Sequence, residues 1–187
     1  MSRLMLLCLL TVLTPTFASA AESCPELLDH RLQGLAETQG QSLCERHAGQ
    51  VLLVVNTASY CGYTHQYAGL VDLYRHYRDR GLTVIGFPSN DFAQEPGSEG
   101  EIRAFCELTY DVDFPMYQKI HVRGGRAHPL YRQLAEASGE APGWNFHKYL
   151  IGRDGETVLS FPTRVAPEDP RLRDAIERLL EVPPGQT

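Results

Sequence analysis

Long apolar runs are missing from this chain. A bilayer-spanning helix takes about 20 apolar residues, and the run LMLLCLLTVL (residues 4–13) falls well short. Basic clusters are missing too. The 17 Lys and Arg are dispersed against 23 Asp and Glu, for a net charge of −6, so no patch is available to nucleic acid. Cysteine is scarce, five residues in 187, and no two are spaced C-x-x-C. That withholds the paired sulfurs of dithiol exchange. With the histidines scattered, it also leaves no zinc-ribbon pattern, and neither a metal nor a cofactor is expected. No internal repeat, low-complexity tract or linker interrupts the chain. Its 187 residues suffice for one domain with a proper core.

The N-terminus reads as a targeting segment. Met1-Ser2-Arg3 carries one positive charge, the apolar run follows, and ASA ends at Ala20. We expect a cleaved secretory signal over residues 1–20, a single mature domain over 21–187, export to the periplasm or beyond, and no stable membrane insertion. A lipid anchor on Cys24 fits poorly, because Glu22 and Ser23 precede it. Removing Arg3 and Cys8 leaves the mature chain more acidic, with Cys24, Cys44, Cys61 and Cys106. An oxidising compartment favours pairing of an even set. Four cysteines allow three connectivities, among which the sequence does not choose.

Residues 21–50 read as irregular and rich in turn formers. VLLVVN (51–56) reads as a buried strand. A helix of about 16 residues is expected next, with Tyr67, Leu70, Tyr74 and Tyr77 on one face and Gly81 as its stop. LTVIGFP (82–88) reads as a second strand. Ser98 and Glu101 have capping-box spacing, and the helix they open carries Ile102, Phe105 and Cys106 on its apolar face. FPMYQKIHV (114–122) reads as a third strand. WNFHKYLIGRDGETVLSF (144–161) contains two more, joined at Asp154-Gly155. A last helix follows Asp169-Pro170 and carries Leu172, Ile176, Leu179 and Leu180. The alternation requires parallel pairing with an antiparallel hairpin at the edge, a thioredoxin-like α/β fold with a central mixed sheet flanked by helices. Loops after parallel strands converge at the carboxyl edge of the sheet.

Cys61 occupies such a loop, between the first buried strand and the helix. Backbone N–H groups there favour a thiolate over a thiol, and the thiolate is the nucleophile. Half of a structural disulfide is the alternative. Thr64 stands where the second cysteine of a C-x-x-C would be, so a single attacking thiol remains, suited to peroxide reduction or covalent acyl chemistry. No hydrolase motif surrounds it, and His65, in the next turn, is expected on the surface.

NTASYCGYT (56–64) resembles the nucleophile motif of the glutathione peroxidases. The match continues through GFPSNDFAQEPGS (86–98), FCELTYDVDFPMYQKIHVRG (105–124), AHPLY (127–131) and WNFHKYLIGRDG (144–155). The resemblance implies a thioredoxin fold and reduction of hydroperoxides by a cysteine or selenocysteine, here Cys61. It further implies catalytic partners at Gln94, Trp144 and Asn145. Amide and indole N–H groups donate to a thiolate, orient a peroxide and stabilise the departing oxygen. The segment NDFAQEPG is one residue shorter than the family's usual NQFGxQEPG, with Ser89 and Asp91 replacing Cys and Gln.

In thiol-peroxidase members of that family a resolving cysteine occupies the place of Cys106 in FCELTY. It would attack the sulfenic acid formed on Cys61 after local unwinding of its helix. Packing into that helix face is the alternative. Cys24 and Cys44 match no motif of the family. A structural disulfide closing the N-terminal loop is preferred over free thiols or mixed pairing, and would stabilise by roughly 3 kcal/mol. Only residues 132–143 separate AHPLY from WNF. The longer insertion of tetrameric, glutathione-using relatives is missing, which implies a monomer with an open cleft. The expected partners are a hydroperoxide, lipid hydroperoxides included, and a thioredoxin-like protein or glutathione as reductant. The competing readings are a thiol–disulfide exchange protein, which the missing C-x-x-C disfavours, and a peroxide sensor relaying oxidation from Cys61 to a partner.

Overall fold

The computed structural model describes residues 24–183. The expected signal segment at 1–20 lies outside the described residues. The central sheet has four strands: β3 (Val51–Thr57), β4 (Leu82–Pro88), β5 (Lys148–Ile151) and β6 (Val158–Phe161). Their spatial order is β4-β3-β5-β6. β3 and β4 run parallel, Val51 against Leu82 through Thr57 against Pro88. β5 pairs antiparallel with β3, and β6 antiparallel with β5 at the edge. The fold is the thioredoxin-like mixed sheet flanked by helices.

Every residue of β3 and β4 is buried, which is why both segments read as unbroken apolar runs rather than alternating ones. Their side chains still alternate between faces. Val51, Leu53 and Val55 point to one core, with Tyr67, Leu70 and Leu73 of α2 (Gln66–Tyr77) and Leu172 and Ile176 of α5 (Pro170–Glu181). Leu52 and Val54 point to the other, with Leu43 of α1 (Leu43–His47) and Leu130 and Leu134 of α4 (Pro129–Ser138). Among the described residues no helix is long and apolar enough to cross a membrane.

The helix boundaries follow their caps. Three residues of 3₁₀ turn extend α2 to Arg80, and Gly81 ends it at φ 98°, a backbone that only glycine adopts freely. α3 (Glu99–Tyr110) begins with both bonds of the Ser98–Glu101 capping box in place. Asp169 caps α5 by accepting from the Arg171 N–H, and Pro170 fills its first position.

Three segments depart from the sequence reading. Residues 114–122 do not form a strand; only Met116 bridges Gly86 and Tyr117 bridges Gly34. The ladder on β4 starts, with the Gly86 N–H donating to the Pro115 carbonyl and the Tyr117 N–H to the Gly86 carbonyl. It fails at Pro88, which has no N–H for the next rung. The described part of residues 21–50 is not irregular. β1 (Arg31–Gln33) and β2 (Gly40–Ser42) form an antiparallel hairpin, and α1 follows, capped by the Ser42 hydroxyl. Strands of three residues carry too little periodicity to be read. α4 was also not anticipated. Its signals are Pro129 at the first position, Leu130 and Leu134 one turn apart, and Gly139 as its stop at φ 75°.

A disulfide joins Cys24 to Cys44, with Cα atoms 5.9 Å apart and a sequence separation of 20. It ties the start of the described chain to α1. Cys24→Ser should lower the unfolding free energy by about 3 kcal/mol in urea titrations under non-reducing conditions. A loss under about 1 kcal/mol, against the 2–4 typical of such bridges, would show that the bridge does not constrain the unfolded chain.

Candidate active site

β3 delivers Asn56 and Thr57, both fully buried, to the carboxyl edge of the sheet. The chain then turns through Ala58, Ser59 and Tyr60 to Cys61. Thr64, at the place of a second cysteine, closes this turn instead. Its hydroxyl oxygen accepts from the Cys61 N–H at 3.1 Å and lies 2.6 Å from the Cys61 carbonyl oxygen, to which the Thr64 N–H also donates at 3.0 Å. α2 begins at Gln66, so the thiol sits on the approach to the helix rather than in its first turn. Cys61 is a free thiol with 8% of its surface exposed. The Tyr63 N–H donates to its sulfur at 3.4 Å. His65 lies exposed, with Nδ1 2.9 Å from the Gly62 carbonyl oxygen.

The loop after β4 docks on this turn. The Tyr60 N–H donates to the Gln94 carbonyl at 3.1 Å. Glu95 is fully buried, and its Oε2 accepts from the Ser59 N–H at 2.7 Å and from the Ser59 hydroxyl at 3.0 Å. Burial pushes the Glu95 carboxyl above its ordinary value, against the Ser59 bonds.

The third segment enters β5. Asn56 latches it three times, beginning with its N–H, which donates to the His147 carbonyl at 3.4 Å. Its Nδ2 donates to the Trp144 carbonyl at 3.1 Å, and its carbonyl accepts from the Phe146 N–H at 2.6 Å. Between these bonds, the Asn145 Nδ2 donates to the Gln94 Oε1 at 2.9 Å. Phe146 has φ 63°, a left-handed backbone that costs a bulky residue on the order of 1–3 kcal/mol and persists only where the surroundings enforce it. Trp144 is 41% exposed, its ring 5.1 Å from that of Phe92. The indole N–H makes no hydrogen bond among the described residues. A cavity of about 550 Å³ opens beside it, lined by Tyr63, Glu140, Gly143, Trp144, His147 and Thr163 among others.

Asn145, on the segment entering β5, is thus brought against Gln94, on the loop held to Cys61's own turn. Both are engaged with each other, and the sulfur takes its hydrogen bond from Tyr63. Cys106 is on α3, 1% exposed and a free thiol. It donates to the Tyr67 hydroxyl at 3.5 Å, and burial pushes it up to about 11, so here it is a protonated core residue.

Three supporting residues escaped the sequence reading. Asn56 and Glu95 lie inside the quoted motifs, but nothing in a sequence distinguishes a buried tether from a turn residue. Lys148 is the third. It is fully buried on β5, with Nζ donating to the Gln66 Oε1 at 2.6 Å and to the Phe146 carbonyl at 2.7 Å. A lysine in an otherwise apolar strand was the available signal. Among the described residues no three His, Cys, Asp or Glu side chains are grouped to hold a metal ion.

The chain matches the family model of glutathione peroxidases over residues 32–135. It is 48% identical over 139 residues to a glutathione peroxidase of Lactococcus lactis, covering 72% of this chain and 87% of that one. It is 46% identical over 143 residues to the hydroperoxy fatty acid reductase gpx1 of Synechocystis sp., covering 71% and 83%. It is 42% identical over 161 residues to the thioredoxin/glutathione peroxidase BtuE of Escherichia coli, covering 73% and 88%. Among solved structures, the crystal structure of Trgpx in apo form is 33% identical with a TM-score of 0.67, covering 84% of this chain and 97% of that one.

His147, beside Trp144, gives the site an acid sensitivity. Its Nε2 lies 2.9 Å from the Ser160 hydroxyl oxygen, and burial lowers it from 6.5 to about 4. The folded value lies below the unfolded one, so the stability this ring contributes is complete above pH 6.5 and is lost as pH falls towards 4. The loss is about 3 kcal/mol at most. In His147→Gln, the slope of unfolding free energy between those two pH values should flatten relative to wild type; parallel slopes would show that His147 does not titrate on unfolding.

Proposed function

The chain belongs to the glutathione peroxidase family and is a thiol-dependent peroxidase, and from that premise we propose that Cys61 is the point of peroxide attack, with Gln94, Trp144 and Asn145 as its partners. The observation that carries this reading is the 2.9 Å bond between Asn145 and Gln94, on a loop whose backbone is tied to Tyr60, the neighbour of Cys61. In the reaction, the Cys61 thiolate attacks the distal peroxide oxygen. The O–O bond breaks, the sulfur becomes a sulfenic acid, and the alkoxide or hydroxide takes up a proton and leaves as alcohol or water. In this reading the amide and indole N–H groups of Gln94, Asn145 and Trp144 turn to the departing oxygen and stabilise its charge once peroxide is bound.

Cys106 closes the cycle. Its thiolate displaces hydroxide from the sulfenic sulfur, forming a Cys61–Cys106 disulfide and water. Two thiol equivalents, from one dithiol or from two monothiols, then reduce that disulfide and restore both cysteines. Cys106 is sealed in the core as a protonated thiol, so α3 has to open first. Opening has to release buried Ile102 and Cys106 and the partly buried Phe105 and Tyr110, while Leu108, 87% exposed, contributes nothing to the anchoring. A thioredoxin-like protein or glutathione supplies the electrons, in keeping with the name of the Escherichia coli relative. Hydrogen peroxide and organic hydroperoxides are the substrates. Lipid hydroperoxides suit the exposed Tyr60 and Tyr63 flanking Cys61 in sequence, the exposed Trp144, and the name of the Synechocystis relative. The protein acts as an exported monomer. The Cys24–Cys44 bridge supports export, since such bonds persist in oxidising compartments.

Mass spectrometry after one equivalent of peroxide tests the assignment. Wild type should form the Cys61–Cys106 disulfide, and Cys106→Ser should stop at sulfenic or over-oxidised Cys61. Cys61→Ser should stay reduced; if it oxidises as wild type does, Cys61 is not the point of attack.

A further inference from the structure

Lys148 is a fully buried cation without a carboxylate partner among the described ion pairs. An apolar side chain would fill its place on β5 at lower cost, because a buried charge loses its hydration. What the ammonium does there is specific. It donates at 2.7 Å to the carbonyl of Phe146, the residue with left-handed backbone at the entrance to the strand, and at 2.6 Å to Gln66, the first residue of α2.

From Gln66 the bonding continues. The Gln66 Nε2 donates to the Thr163 carbonyl at 2.9 Å, and the Thr163 hydroxyl donates to the Asn145 carbonyl at 2.8 Å. The circuit runs Lys148, Gln66, Thr163, Asn145 and back along the chain through Phe146 to Lys148. Its side chains are all buried. Phe146 is thereby held at both ends, its N–H by the Asn56 carbonyl at 2.6 Å and its carbonyl by Lys148. Asn145, immediately before it, faces Gln94.

We propose that Lys148 is a positioning residue for the peroxide step: by gripping the Phe146 carbonyl and Gln66 together it holds the left-handed turn that sets Asn145 against Gln94. Lys148 touches no reacting atom and acts through Asn145. The inference rests on Cys61, Gln94 and Asn145 forming the reactive site. Burial lowers the Lys148 ammonium to about 7, and Glu168, in the loop before α5, is the charged group opposing that shift. The charge-assisted grip therefore weakens as pH rises past 7.

The test compares two rates at Cys61, oxidation by hydrogen peroxide in single turnover and alkylation by iodoacetamide. Both need the thiolate, but only the first needs the partners. Lys148→Met should lose about tenfold or more in the peroxide rate, the scale of effect expected from misplacing a positioned group, while alkylation stays within about twofold and the melt stays cooperative. An unchanged peroxide rate, or parallel loss of both rates in a folded variant, would overturn the role. Should Lys148→Met not fold, Gln66→Met decides, since it removes the ammonium's other tether at 2.6 Å: the ratio of peroxide to alkylation rate should fall several-fold, and an unchanged ratio would overturn the role. If wild type and Cys61→Ser react alike with peroxide, the reading of Cys61 has failed instead.

Discussion

The site depends on one latch, the three bonds Asn56 makes across the carboxyl edge of the sheet, one of them from its N–H to the His147 carbonyl. Its carbonyl takes the Phe146 N–H and its side-chain amide takes the Trp144 carbonyl. Asn56 is on β3, the strand next to both β4 and β5 and the one that runs directly into the Cys61 turn. Asn56 therefore ties the WNF segment directly to the strand that carries the thiol. Asn56 itself is fully buried, so its polar groups have no water to fall back on and its bonds over-determine the local geometry. That is the condition under which a bulky residue persists at φ 63°.

Rigidity and looseness are divided between the two sulfurs. Cys61 lies where three segments are tied together by part-buried side-chain and backbone bonds, from Ser59 to Glu95, Tyr60 to Gln94 and Asn145 to Gln94. Such bonds hold catalytic groups in place before substrate arrives. Cys106 lies on a helix anchored by few buried side chains, with its thiol held in the unreactive form by burial. A cycle in which one sulfur waits ready and the other must be released fits this division.

The legible parts of the fold were those whose physics is local. Unbroken apolar runs marked β3 and β4, capping chemistry marked Ser98 and Asp169, and Gly81 marked the end of α2 and its 3₁₀ extension. The 114–122 segment has strand-like residues, but its pairing fails at a proline on the neighbouring strand, which its own sequence does not reveal. The N-terminal hairpin was too short to show a period. At the site, motif order picked out Cys61, Gln94, Trp144 and Asn145. The residues that tether them, Asn56, Glu95 and Lys148, are recognised only by burial and by whom they bond.

By itself the sequence determined the family, the central strands and the lone thiol after the first of them, because each is written in consecutive residues: an ordered set of motifs, an apolar run, a missing second cysteine. Tertiary structure alone decided that Gln94 meets Asn145, that Cys106 is sealed against Tyr67, and that a lysine sits dry beneath a strained phenylalanine. Those facts depend on which segments, far apart in the chain, share the same few ångströms of interior. Burial there turns ordinary polar side chains into fixed bonding partners.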